Sequence, residues 1–401
     1  MNQLYKIWCR TYQGVFRIAS AILPWRVPEL IEGENSITKL PAFIKEKGID
    51  NVLIVTDKMI MSLGLADGLT KGLEKESIAY AIYDSTVPNP TIDNIEEALA
   101  VYKEKGCKAI IALGGGSPMD CAKIVGARVA RPNKPVSKMK GLFKVLKSTP
   151  LFFAVPTTAG TGSEATLAAV ISNSETHEKY PINDFSLIPN YAVLDPLLTV
   201  GLPKHITSTT GMDALTHAVE AYIGRSNTKF TENMAKAAIT LIKENLKKAY
   251  DNGKDITARE NMQLAAYYAG IAFTRAYVGY VHAIAHTMGG LYRTAHGLAN
   301  SVLLPVVLEY YGESAHKRLA ELAEHIGIEG TSDAEKARAF IAWIKELNKY
   351  MDIPEKLADV KSEDYELIAQ RALKEANPLY PVPMLFEESD VYNILDQIII
   401  E

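Results

Sequence analysis

The sequence predicts two domains, an α/β half built on a parallel sheet and then an all-helical half, and three observations predict it. Between about residue 30 and residue 195, short apolar runs alternate with amphipathic stretches. Beyond about residue 202 the short runs stop, and long segments with a 3.6-residue apolar period take over. A length of 401 residues is also ample for two cores rather than one. No Gly/Ser-rich linker divides the halves, so they are expected to pack tightly and share a cleft. The boundaries are drawn as an extension over 1–28, an α/β domain over 29–200 and a helical domain over 201–401.

The extension holds no acidic residue, while Lys6, Arg10, Arg17 and Arg26 are basic. Tyr5, Trp8, Tyr12, Val15, Phe16 and Ala19 recur near helical spacing, which predicts an amphipathic helix. Bases interrupt its apolar stretch, and IASAIL is short for the core of a signal peptide. The expectation is a helix docked on its own protein or on a partner subunit; a transit peptide or surface-binding helix is the competing reading.

In the α/β half the runs NVLIVTD (51–57), AYAIYD (79–84), KAIIALGG (108–115), LFFAVPTT (151–158) and YAVLD (191–195) read as strands. Their near-continuous apolar character implies a parallel sheet covered on both faces. Between them lie helical stretches such as 91–106, with Thr91 as N-cap and Gly106 as stop signal. The basic segment 131–150 reads as a solvated surface excursion. In the second half, helices are expected over 208–224, 229–251, 257–275, 314–327 and 333–351.

Composition excludes some function classes. With 48% apolar residues, 22% charged residues and a net charge of −4, nothing pulls the chain toward nucleic acid or anionic membrane. No apolar run approaches the roughly 18 residues of a membrane span. Three cysteines, an odd number without CxxC spacing, point to a reducing compartment and a cytoplasmic location.

Ligands of parallel sheets bind beyond the carboxyl ends of the strands, so the loops there matter most. After KAIIAL comes GGGSPMD, Gly114 to Asp120, leading into a helix near Pro118. Consecutive glycines let backbone N–H groups approach a phosphate, and a helix N-terminus favours its charge. A tight turn without ligand would look the same. The pattern is neither GxGxxG nor a Walker loop. After LFFAV, the stretch PTTAGTGSEAT (156–166) crowds four threonines and a serine together, suiting a polyhydroxylated or phosphorylated ligand. It lacks the GxSxG nucleophile elbow. Asp57, ending NVLIVTD, either accepts from a ribose 2′-hydroxyl or caps the next helix.

The helical half supplies candidate metal ligands. Asp213 and His217 in GMDALTHAVEAY lie four apart, so both project from one helix face. The stretch Gly279 to Asn300, GYVHAIAHTMGGLYRTAHGLAN, holds His282, His286 and His296, three of the eight histidines. Clustered imidazoles in an apolar segment suggest a metal site or a catalytic base, although one or two could be satisfied core histidines. HAIAH lacks the glutamate of HExxH, which disfavours a zinc peptidase.

Together, from about Pro28 to the C-terminal region, GGGSPMD, PTTAGTGSEAT, GMDALTHAVEAY and GYVHAIAHTMGGLYRTAHG resemble the iron-containing (group III) alcohol dehydrogenases. The resemblance implies a Rossmann-like domain and a helical domain, in the dehydroquinate synthase-like architecture, with nicotinamide cofactor and divalent metal in the cleft. It carries the metal ligands onto Asp213, His217, His282 and His296, and leaves His286 near the nicotinamide and substrate. Gly115, Gly116 and Ser117 match the pyrophosphate loop; Thr157, Thr158, Thr161 and Thr166 the threonine-rich loop; Lys179 a ribose-side contact. Asn89 and Asp120 match further cofactor positions, and Asp57 sits where members favour NAD over NADP. Two departures are local: about 27 residues precede Pro28, and Ala295 stands where relatives carry proline.

The implied activity is hydride transfer between NAD(H) and a small alcohol or diol held through its oxygen on the metal, with His286 relaying the hydroxyl proton. Iron rests on the resemblance; the residue types alone favour zinc. A homo-oligomer is the implied assembly. The rivals are a dehydroquinate synthase-like lyase that also uses NAD and metal, and a non-catalytic metal- or nucleotide-binding protein. The Asp213/His217 pair and the HAIAH…AHG spacing speak against the lyase.

Overall fold

The computed structural model describes residues 2–20, 23–174 and 179–400. Contacts divide the chain into two compact units, one of Pro24–Gly201 with Lys254–Tyr267, the other of Met1–Leu23, Leu202–Gly253 and Tyr268–Glu401.

The first unit is α/β. Its strands are β1 (Glu29–Glu32), β2 (Asn51–Val55), β3 (Ala79–Tyr83), β4 (Ala109–Gly114), β5 (Gly141–Leu142), β6 (Leu151–Pro156), β7 (Ala168–Ser172), β8 (Lys179–Asn183) and β9 (Tyr191–Leu194). Six of them form a parallel sheet in the order β1-β9-β6-β4-β2-β3. Alternate residues feed two cores: Leu53, Ile110 and Phe152 on one face, Ile54, Ile111 and Phe153 on the other. Burial on both faces explains the unbroken apolar runs. Register aligns the carboxyl ends that matter, since Val55 pairs with Ala112 and Gly114 with Pro156. The winding direction reverses between β2 and β4, where open α/β sheets place their ligands.

The helix Ile92–Glu104 begins at Thr91, which closes a reciprocal cap with Asn94. Two features depart from expectation. A small second sheet, β5-β8-β7, accompanies the main one, its β7–β8 pair antiparallel. The 131–150 segment is exposed along about half its length, as expected, but it is anchored: Val136, Met139 and Val145 are buried in the α/β core, and Arg128 and Arg131 donate to its backbone carbonyls. Three buried apolar side chains pin a basic stretch that otherwise lies largely at the surface.

The second unit is helical. It contains Lys204–Ile223, Lys229–Asp251, Tyr280–Tyr292, His296–Tyr311, Glu313–His325, Asp333–Tyr350, Tyr365–Ala376 and Glu388–Ile398, with the latter part of Ile256–Ala276. Among the described residues no helix is long and apolar enough to cross a membrane, and all three cysteines are buried free thiols.

The extension forms the helix Gln3–Ser20, docked on this unit. Its covered face matches only part of the one that spacing suggested: Tyr12, Phe16 and Ala19 are half-buried. Cys9 and Gln13 are buried, whereas Trp8 and Val15 are 48% and 63% exposed. On the covered side Arg10 and Gln13 donate to backbone carbonyls of the unit.

Candidate active site

Three helices of the helical unit bring Asp213, His217, His282 and His296 together, with one ligand atom from each within 4.8 Å of all the others. Asp213 and His217 share one face of Lys204–Ile223, His282 lies on Tyr280–Tyr292, and His296 opens His296–Tyr311. Close approach of the first and last of these helices needs Gly297, where a Cβ would stand 2.4 Å from the Thr209 carbonyl oxygen. Asp213, His217 and His282 are buried, while His296 is about one-third exposed, so the cluster opens on that side.

The imidazoles are prepared as acceptors. His282 gives Nδ1–H to Glu220 Oε2 at 2.6 Å, which leaves the Nε2 lone pair facing Asp213 Oδ1 at 3.8 Å. Burial, then the neighbouring imidazoles of His217, His296 and His286, drives the pKa of His282 well down, so the ring is neutral. Glu220 also accepts from the Val281 N–H at 2.9 Å; burial pushes its carboxyl up to about 8.

The amide of Asn300 reaches the same point. Its Nδ2 donates to Asp213 Oδ1 at 2.7 Å and lies 3.2 Å from Nε2 of both His282 and His296, while its buried Oδ1 meets no partner among the described residues. A carboxylate and imidazole lone pairs converging on one neutral amide lack positive charge. A mixed O/N set of this kind fits a divalent cation.

His286 takes a different partner. Its Nδ1 meets Glu375 Oε1 at 2.7 Å, its ring stacks on His296 with centroids 5.1 Å apart, and its side chain is partly exposed.

In the α/β unit the glycine and threonine loops face each other. Gly115 caps the helix Gly116–Ala130, the Thr157 N–H donates to the Gly114 carbonyl at 3.0 Å, and a Cβ on Gly116 would stand 3.2 Å from Thr161 Cγ2. A Cβ on Gly115 would likewise touch Thr158. Asn89 joins this group: its N–H donates to Ser117 Oγ, and its Oδ1 accepts from Lys179 Nζ at 2.7 Å. Asp57, at the end of β2, accepts from the Ile60 N–H at 2.9 Å and so caps the helix Lys58–Ser62.

Asp120 and Thr166 stand one layer behind. Asp120 accepts from Ser163 Oγ and the Val170 N–H; Thr166 Oγ1 and the Ser163 hydroxyl both meet Lys123 Nζ. Burial lowers the Lys123 ammonium to about 8 and raises the Glu164 carboxyl to about 7. These buried charges fix the threonine loop to the helix that follows the glycines.

Sequence reasoning missed Glu220, Asn300, Glu375 and Lys123. Two had a local signal: Glu220 lies seven residues after Asp213 on the same helix face, and Asn300 lies four after His296.

Residues 28–196 match the family model for iron-containing alcohol dehydrogenase, and residues 207–399 match that for the C-terminal part of the Fe-containing alcohol dehydrogenase family. The chain is 40% identical over 367 residues to alcohol dehydrogenase 4 of Saccharomyces cerevisiae, covering 90% of this chain and 94% of that one. It is 38% identical over 352 residues to the NAD-dependent methanol dehydrogenase of Bacillus methanolicus, covering 87% and 92%. A crystal structure of 1,3-propanediol oxidoreductase superposes with a TM-score of 0.90 at 38% identity, covering 94% of this chain and 99% of that one. The chain therefore belongs to the iron-containing alcohol dehydrogenase family. It is an oxidoreductase acting on CH–OH groups, with the family's α/β-plus-helical fold.

Proposed function

We propose that this chain interconverts a small primary alcohol or diol and its aldehyde, with NAD(H) as hydride partner and Fe2+ held by Asp213, His217, His282 and His296. The observation that carries it is the convergence of those four ligand atoms within 4.8 Å in a largely buried setting. When bound, the ion supplies Lewis acidity toward the substrate oxygen; the same donors accept Zn2+. The relatives named above, acting on methanol and 1,3-propanediol by their names, support the substrate class.

The chain's residues perform the remaining tasks. Glu220 holds the His282 tautomer through the bond to Nδ1. His286, oriented through Nδ1 by Glu375, keeps Nε2 available to exchange the substrate's hydroxyl proton with solvent. The backbone N–H groups of Gly115, Gly116 and Ser117 receive the cofactor pyrophosphate at the N-terminus of their helix. Thr157, Thr158 and Thr161 line the facing loop, which Asp120 and Thr166 brace from behind. Asn89 and Lys179 take a ribose hydroxyl, and Asp57 disfavours a 2′-phosphate by charge. The working form is a cytoplasmic homo-oligomer.

The test is a screen of short alcohols, diols and aldehydes with NAD(H) on protein reconstituted separately with Fe2+ and Zn2+. Net NADH accumulation on a primary alcohol, greater with Fe2+, is the expected result. Transient NADH with elimination from the substrate would instead mark a lyase, and no turnover with any substrate a binding protein.

A further inference from the structure

The N-terminal helix is tied to the segment that carries the partner of His286. Gln13, only 5% exposed, donates Nε2 to the carbonyls of Pro378 at 3.2 Å and Tyr380 at 2.7 Å. Its Oε1 accepts from Arg10 Nη1 at 2.9 Å, and Arg10 donates onward to the carbonyls of Val382 at 2.7 Å and Pro383 at 2.9 Å. Two side chains one helical turn apart thus hold four carbonyls of one short segment. From that segment Tyr380 turns its hydroxyl to Glu375 Oε1 at 2.8 Å, the same oxygen that meets His286 Nδ1 at 2.7 Å.

A second contact reaches the same place. Phe16 packs edge-on against Tyr277, with centroids 5.6 Å apart, and Tyr277 lies 6.3 Å from the Tyr380 ring. Tyr277 has φ 65, a left-handed conformation that a side chain holds only when its surroundings enforce it. It sits in the turn leading into Tyr280–Tyr292, the helix that bears both His282 and His286. The family match begins at residue 28, so these contacts are additional to what the matched region supplies.

We propose that the N-terminal helix is a positioning element of the active site: Arg10 and Gln13 fix the 378–383 segment so that Tyr380 and Glu375 hold the His286 ring in one orientation. The proposal rests on the reading of His286 as the proton-exchanging group. Glu375 and Tyr380 act through His286, as does the helix behind them. A helix that only added stability would lower the melting temperature when its ties were cut and leave His286 as it was.

The test uses full-length, metal-loaded enzyme carrying Arg10→Met with Gln13→Leu, which keep the helix and remove its donors. Metal content, kcat, KM for alcohol and for NAD, and the rate at which diethyl pyrocarbonate modifies His286, mapped by peptide mass, are measured together. The expected result is unchanged metal and KM for NAD, a kcat lowered by about 10-fold and His286 modified several-fold faster. Arg10→Lys alone, which keeps a cationic donor and leaves Gln13 intact, should retain most of the wild-type kcat and His286 protection. If the double variant does not fold, Tyr380→Phe, which removes a single hydroxyl, is read in the same way. In a cycle with Gln13→Leu, its effect on kcat should be less than additive. Unchanged His286 modification overturns the positioning role, whatever kcat does. Faster modification with unchanged kcat leaves the coupling standing and removes His286 from the reaction, so that failure belongs to the functional reading.

Discussion

The metal cluster and the cofactor loops prepare their ligands by opposite means. In the helical unit the site consists of side-chain lone pairs brought from three helices, with the His282 ring aimed by the buried Glu220. In the α/β unit it consists of backbone N–H groups and of missing atoms, because the threonine loop would crowd a Cβ at Gly116, 3.2 Å from Thr161 Cγ2. The first arrangement loses its function when a donor is removed. The second tolerates loss and is damaged by addition. Substitutions that subtract and substitutions that add should therefore separate the two regions.

The largest subtractive effect short of removing a ligand is expected at His286. His286→Ala should keep bound metal and lower kcat by about 100- to 10,000-fold, checked by metal analysis beside steady-state kinetics. A metal-free variant would move His286 into the ligand set and blur the comparison. Glu220→Gln leaves every ligand in place and exchanges only the carboxyl that orients His282 for an amide. Metal affinity should fall about 10- to 100-fold, measured by chelator competition, with NAD binding unchanged.

An additive change tests the other region. Gly116→Val should raise KM for NAD about 10-fold, roughly 1.4 kcal/mol of lost binding, with full metal content. Unaltered cofactor binding would mean that the glycine loop is only a turn. The smallest effect is expected at Asp57, whose capping role and charge are separable. Asp57→Ser preserves an N-cap acceptor for Ile60 while removing the charge, so stability should hold and the NAD/NADP ratio of kcat/KM should fall about 5-fold. An unchanged ratio would reduce Asp57 to its cap.

The same contrast explains what was legible in the sequence. Strands β2, β4 and β6 announce themselves because both faces are buried, leaving no polar interruption. The short β1, with glutamates at both ends, and β8, half-exposed and containing Pro181, carry no comparable run. Glycine and threonine loops are local in sequence, so their residues could be named together. In the helical unit, spacing could pair Asp213 with His217 but could not divide His282, His286 and His296. What distinguishes them in space is the partner of each ring: Glu220 for His282, Glu375 for His286, Asn300 beside His296. Glu375 lies 89 residues from His286, and no periodicity connects them. The N-terminal helix was legible as a helix and in part of its covered face, but not in its polar ties, because Arg10 and Gln13 answer carbonyls some 370 residues away.

Metal stoichiometry and turnover of His282→Ala, measured on one preparation beside the wild type, test the central claim most directly. His282 is buried, neutral and held by Glu220, so its loss removes a ligand that no neighbour replaces. The expected result is loss of bound metal together with at least about a 1000-fold fall in kcat/KM, while NAD binding persists. Retention of both metal and turnover would remove His282 from the ligand set and contradict the account.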